Sequence, residues 1–318
     1  MQRRIAFLLG LLAIVAATLA APPGASAASK YRVGIGDQHG TMFSQAAFQA
    51  LGIKRVRYLV PWDWRRVAGQ RAEVEGFLAA AQTARKEVFV TFTASRGCWR
   101  NGRYSTARRC RAPSAKAYGR SFRNFRNAFP QVRVFAPWNE ANHVSQPIAK
   151  SPKRAASYYN VVRRHCRGCT IVAADVLDQS NVVRYLRKFR RHAKGSPRRW
   201  GLHNYSDVNR KRSKGTRAVL RAVPGELWLT ETGGVVKFGP SFPYSESRAA
   251  NRTKYMFKLA DTYSRKRSGM KSRITRIYPY SWTGVRRGER FDAGLTDPDG
   301  STRPAYKVFR SIVRKKSK

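Results

Sequence analysis

The sequence predicts an α/β fold, a single (β/α)8 TIM barrel, and three observations carry that prediction. Short runs rich in β-branched and aromatic residues alternate with longer segments whose apolar residues recur at helical spacing, the pattern of parallel strands joined by crossover helices. Eight such pairs fit a folded portion of about 290 residues, the size of one (β/α)8 unit. No linker, repeat or low-complexity block divides the chain. An open doubly wound sheet is the alternative. "GIGDQHG" at Gly34 lacks the GxGxxG spacing of a dinucleotide loop.

The chain starts with Arg3 and Arg4, an apolar stretch from Ile5 to Ala21, and the small-x-small triplet Ala25-Ser26-Ala27. That reads as a secretory signal peptide over 1–27, with an uncleaved anchor as the alternative. The catalytic domain then covers 28–318, with no transmembrane segment after cleavage. The first strand is read in "YRVGIG" near Tyr31 and its helix over Ser44–Leu51. "KRVRYLV" near Lys54 precedes Val74–Arg85, and "EVFVTF" near Glu87 precedes Ser114–Phe129. "VRVFAPW" near Val132 precedes Pro152–Cys166, where Ser151 followed by proline is a helix-start signal. "TIVAAD" near Thr170 precedes Asn181–Ala193, and "WGLHNY" near Trp200 precedes Thr216–Val223. "ELWLTE" near Glu226 precedes Ser245–Arg265, and "ITRIYPYSW" near Ile274 precedes the closing helix Arg303–Val313.

Sixty-four lysines and arginines face 17 acidic residues, a formal charge of +47. Such an excess implies affinity for polyanions: nucleic acid, anionic lipid or acidic cell-wall polymers. The bases recur through most predicted helices, as in "RKFRRHAK" and "KRSKG", which reads as a solvated cationic surface before a dedicated recognition patch. Outside the cytosol an even set of four cysteines suggests disulfides. The nearest-neighbour pairing is Cys98–Cys110 and Cys166–Cys169. "CRGC" also has redox-motif spacing and the spacing of half a zinc site. No second CxxC exists and His165 alone cannot complete four ligands, so no metal or cofactor is expected.

On so basic a chain, a glutamate at the abrupt end of the apolar run in "FAPWNEANH" needs a reason. In a barrel, residues just past the strand C-termini line the active site. Those positions supply Arg57, Trp62 and Trp64 from strand two, Asn139 and Glu140 from strand four, His203 and Tyr205 from strand six, Glu231 from strand seven, and Trp282 from strand eight. His39 follows strand one, as a structural histidine or a sugar contact. Two carboxylates on one cleft suit glycoside hydrolysis, where one donates a proton to the leaving oxygen and the other attacks or activates water. Aromatic residues offer flat faces to sugar rings. Trp62, Trp64 and Trp138 can equally be core aromatics.

"PWNEANH", "LHNY", "LWLTETGG", "SWTG" and "GLTDPDGSTRPAYKVF" together resemble the clan A (β/α)8 retaining glycoside hydrolases, near the cellulase-like and xylosidase-like branches, in a small secreted actinobacterial-type form. The resemblance implies Glu140 as general acid/base, Glu231 as nucleophile, Asn139 on the sugar 2-hydroxyl and Tyr205 hydrogen-bonded to Glu231. It further implies that His203 and Arg57 support the carboxylates or bind sugar hydroxyls, and that Trp282 is the floor of the cleaved sugar's subsite. The expected partner is an oligo- or polysaccharide, with an anionic cell-wall polymer or acidic glycan suggested by the charge. The expected state is a monomer, secreted and associated with the wall. A non-catalytic cationic glycan- or wall-binding barrel is the alternative. A nucleic-acid partner would explain the charge but not the two glutamate motifs.

Overall fold

The computed structural model describes residues 31–317; the signal-peptide reading over 1–27 lies outside them. The described residues form a closed ring of eight parallel strands, as the sequence predicts. They are β1 (Arg32–Val33 continuing as Ile35–Gly36), β2 (Arg55–Pro61), β3 (Glu87–Thr93), β4 (Val134–Ala136), β5 (Thr170–Ile171 continuing as Asp175–Leu177), β6 (Arg199–His203), β7 (Gly225–Thr232) and β8 (Ser272–Pro279). The two interrupted strands stitch the ring. The first half of β1 pairs with β8 (Arg32 opposite Arg276) and the second with β2 (Ile35 opposite Val56). The first half of β5 pairs with β4 and the second with β6.

The outer helices are α1 (Ala46–Gln49), α2 (Ala68–Thr83), α3 (Ala115–Ala128), α4 (Pro152–His165), α5 (Val182–His192), α6 (Lys214–Ala222), α7 (Glu246–Tyr263) and α8 (Pro304–Ser317). Local chemistry fixes several starts. Ser114 and Ser245 cap α3 and α7 by accepting from the amides of Ala117 and Arg248, and Pro152 opens α4. Helix α2 begins at Ala68, six residues before the predicted Val74. Its apolar stripe starts only at Val74, so the mostly exposed and polar opening turns, with an Arg71–Glu75 pair at 2.8 Å, are invisible to periodicity. Among the described residues no helix is long and apolar enough to cross a membrane.

Two apolar layers hold the barrel. The larger lies between sheet and helices. The smaller fills the barrel itself with Phe89, Val134, Ala136, Val172, Trp228 and Tyr278. Below this plug, Arg276 stacks 4.1 Å over Trp228 and pairs with Glu87, the first residue of β3. Above it, the Arg57 guanidinium lies 5.8 Å from the Phe89 ring. The plug therefore supports the side chain of Arg57, the third residue of β2, and that residue begins the site.

Candidate active site

Arg57 is 1 % exposed, and every arm of its fork is used. Nη1 donates to Glu231 Oε1 at 2.6 Å, and Nη2 to Asn139 Oδ1 at 2.8 Å and Asp175 Oδ2 at 2.9 Å; Nε donates to Thr91 Oγ1 at 3.1 Å. His203, fully buried at the end of β6, adds a second hub. Its Nδ1 lies 3.1 Å from Glu140 Oε1 and 3.4 Å from Glu231 Oε2, and its Nε2 lies 3.3 Å from Asp175 Oδ1. Three carboxylates thus share two cationic side chains in the mouth of the barrel.

The charges hold one another in place. Burial works against protonation of His203, but the charges of Glu231 and Asp175 and hydrogen bonds to Asp175 and Glu140 outweigh it and raise its pKa to about 10. At neutral pH it is an imidazolium donating from both nitrogens. Burial also disfavours the Asp175 anion, yet His203 and Arg57 pull its pKa down to about 2. Glu140 is treated likewise: burial pushes its carboxyl up, but His203, then His143, hold it below the usual carboxylate range. Glu140 adopts φ +43°, a left-handed conformation that costs a non-glycine residue about 1–3 kcal/mol. The loop after β4 is fixed there by the Asn139 amide bound to the Phe92 carbonyl and the Ala141 amide bound to the Asp175 carbonyl, turning Glu140 to the cleft.

That cleft measures about 860 Å³ and is lined by both glutamates, Asn139 and Tyr205 and by an aromatic wall of Trp99, Tyr280, Phe238, Phe242 and Phe291. One donor atom each of Glu140, His203 and Glu231 lie within 4.8 Å of one another. That spacing would suit a metal ion. In the structure Arg57 donates to one oxygen of Glu231, and His203 lies within 3.4 Å of Glu140, Asp175 and Glu231, so two of the chain's own basic side chains stand among these carboxylates.

The structure thus brings together Arg57, Asn139, Glu140, His203, Tyr205 and Glu231. It leaves out three predicted residues. Trp282 is fully buried away from the cleft, against Phe48 and Tyr306, with its indole N–H on Gln45 Oε1 at 2.7 Å. Strand β8 stops at Pro279, so alternation no longer governs position 282, and Tyr280 is the aromatic that reaches the cleft. Trp62 is a core aromatic bonded to Ser95 Oγ at 3.1 Å and capped by Arg66. His39 is 65 % exposed in a separate hollow beside α2, tied to Asp37 at 3.0 Å. Trp64 and Trp138 are also buried in the core. Tyr205 lines the cleft, but its hydroxyl donates to the Tyr280 carbonyl at 3.2 Å rather than to Glu231, because the chain turns into a short helix at Tyr205–Asn209.

Sequence reasoning missed Asp175, Tyr280 and Trp99. An aspartate closing the apolar run "TIVAAD" carried the same signal as Glu140. Gly201 makes room for it: a Cβ there would stand 2.3 Å from Asp175 Oδ1. Trp99 comes from a small hairpin, Trp99–Arg100 against Arg103–Tyr104, within the Cys98–Cys110 disulfide loop. Its ring lies 6.1 Å from that of His143. The second disulfide, Cys166–Cys169, links the end of α4 to the start of β5.

No protein-family model matches the sequence, and no curated protein is similar to it. Solved structures do share the fold. GH5_18 from Streptomyces cattleya, in complex with GlcNAc, superposes with a TM-score of 0.63 at 15 % identity, over 92 % of this chain and 81 % of its own. GH10 from Paenibacillus barcinonensis gives 0.58 at 12 % identity, over 90 % and 96 %. A family 39 glycoside hydrolase from the gut symbiont Bacteroides cellulosilyticus gives 0.57 at 12 % identity, over 90 % of this chain; the match spans 64 % of that longer chain. The fold is the (β/α)8 barrel of these glycoside hydrolases.

Proposed function

We propose that the protein is a glycoside hydrolase that cleaves O-glycosidic bonds with retention, Glu231 as nucleophile and Glu140 as general acid/base. The observation that supports this best is the approach of Glu140 and Glu231 to within 4.8 Å in an aromatic-lined cleft. Retaining enzymes hold their carboxyls about 5–5.5 Å apart, whereas inverting ones need about 6.5–9.5 Å to admit water. Arg57 aims one oxygen of Glu231 and balances its charge. Glu231 attacks the anomeric carbon as Glu140 gives its proton to the departing oxygen. Glu140 then takes a proton from the water that releases the sugar. Hydrogen bonding and charge from His203 hold Glu140 low against burial. Burial is the largest influence on this carboxyl and acts upward, the direction the proton-donating first step needs. Asn139, fixed by Arg57, offers its amide to a sugar hydroxyl.

The apolar leader and basic composition favour work outside the cell, at the wall. Proton NMR of the first-formed product tests the mechanism: the expected result is a retained anomer, and inversion overturns the assignment of Glu231. Glu140→Ala should recover turnover of an activated aryl glycoside with azide, and Glu231→Gln should be inert.

A further inference from the structure

We infer that the sugar polymer taken by this cleft is acidic, and that Arg210 and Arg212 receive a carboxylate of it. This rests on the glycosidase reading for the bond broken, but not for the ligand bound. The two arginines follow the short helix Tyr205–Asn209 and belong to the wall that carries Phe242. Both are exposed, yet neither is loose. Arg210 stacks 5.0 Å over Phe242 and donates to Ser206 Oγ at 3.3 Å. Arg212 donates to the same hydroxyl at 2.6 Å and approaches Asp207 at 3.6 Å.

One serine therefore gathers two guanidinium groups on the rim of the cleft, an arrangement that costs repulsion unless an anion completes it. Asp207 offsets Arg212 only, and Arg210 makes no ion pair among the described residues. Asp178 lines the same cleft, but its carboxyl is bound to the Asp207 amide and is raised to about 6, chiefly by burial. A neutral glycan needs hydroxyl-binding groups and aromatic faces, which the cleft already has in Asn139, Tyr280 and Phe238. Restrained guanidinium groups add what it does not need: charge-assisted, two-pronged recognition of a carboxylate. The general charge of the chain attracts any polyanion; this pair selects where the anion sits.

The test compares oligouronates with their carboxyl-reduced counterparts, which keep the linkage and lose the charge. Calorimetric binding is measured across a panel of such pairs, alongside product release from the same panel. At least one oligouronate should bind the wild type tenfold or more tightly than its reduced form, and Arg210→Gln/Arg212→Gln should lower that ratio to threefold or less. Arg163→Gln/Arg164→Gln, at the end of α4, removes the same formal charge without touching the cleft and should keep the ratio. Binding of the acidic form without any product would remove the hydrolase reading and leave this inference standing. Cleavage with no acidic member preferred, or an equal loss of ratio in both double variants, would overturn it.

Discussion

Replacing Arg57 by methionine isolates what its charge does. The side chain is 1 % exposed and serves two acids at once, Glu231 at 2.6 Å and Asp175 at 2.9 Å. Removing one partner of a buried pair costs about 3–5 kcal/mol, because the remaining charge stays buried without compensation. His203 still contacts both carboxylates, so we take the middle of that range, about 4 kcal/mol. At about 2–4 °C per kcal/mol for large domains, Tm at pH 7 should fall by roughly 8–16 °C. Methionine fills similar space, which leaves charge as the main loss. The pH dependence separates the two causes. In the wild type the folded pKa of Asp175 is depressed to about 2 from the usual 3.8. Its contribution is therefore present above the unfolded value and lost as pH falls through about 2. Without Arg57 that carboxyl takes up a proton at higher pH, and a neutral acid needs no counter-charge. The gap in Tm between variant and wild type should shrink by at least half between pH 7 and pH 4, followed by differential scanning calorimetry. A gap that stays constant over this range would refute the electrostatic account, and a loss below 2 °C at pH 7 would refute the hub itself.

Three further outcomes are expected. Gly201→Ala should cost about 1–3 kcal/mol and most of the turnover by pushing Asp175 aside, whereas Gly69→Ala, in open space on α2, should stabilise slightly; urea melts of both compare them. His203 has a raised folded pKa, so its contribution is full below about 6.5, declines as pH rises and is gone above about 10; Tm of the wild type should fall over that window while that of His203→Gln stays flatter. Trp282→Ala should lose about 3–5 kcal/mol with KM on a short glycoside unmoved, and Tyr280→Ala should raise KM with a smaller change in Tm, because only Tyr280 borders the cleft.

How far the sequence could be read depended on whether the signal was local. Glu140 and Glu231 stood out because a charge ending an apolar run is a contrast between neighbours. Asp175 closed the apolar run "TIVAAD" in the same way, but its meaning lies in Arg57, 118 positions away, and no spacing rule connects them. Trp282 was misplaced for the opposite reason. The strand was read on through Trp282 although it ends at Pro279, and the resemblance then gave a buried core indole the part of a sugar platform. Tyr205 shows the same limit: a strand extended by two residues hid a short helix that takes its hydroxyl away from Glu231. The barrel itself was legible because eight repetitions of one pattern average out such local errors.

Arg57 starts on β2, and its bonds end on β3, on the loop after β4, on β5 and on β7. A β5 paired one residue out of register would carry Asp175 to the other face of the sheet, and the guanidinium would lose an acceptor it cannot replace. Assembly and readiness are thus verified by the same handful of atoms: a barrel closed wrongly is also a barrel with a misaimed Glu231. The chain has little freedom to drift toward altered strand pairing while keeping its site. Tolerance to substitution should be concentrated on the outer helices and the rim loops, where new specificities can be tried without disturbing the seal.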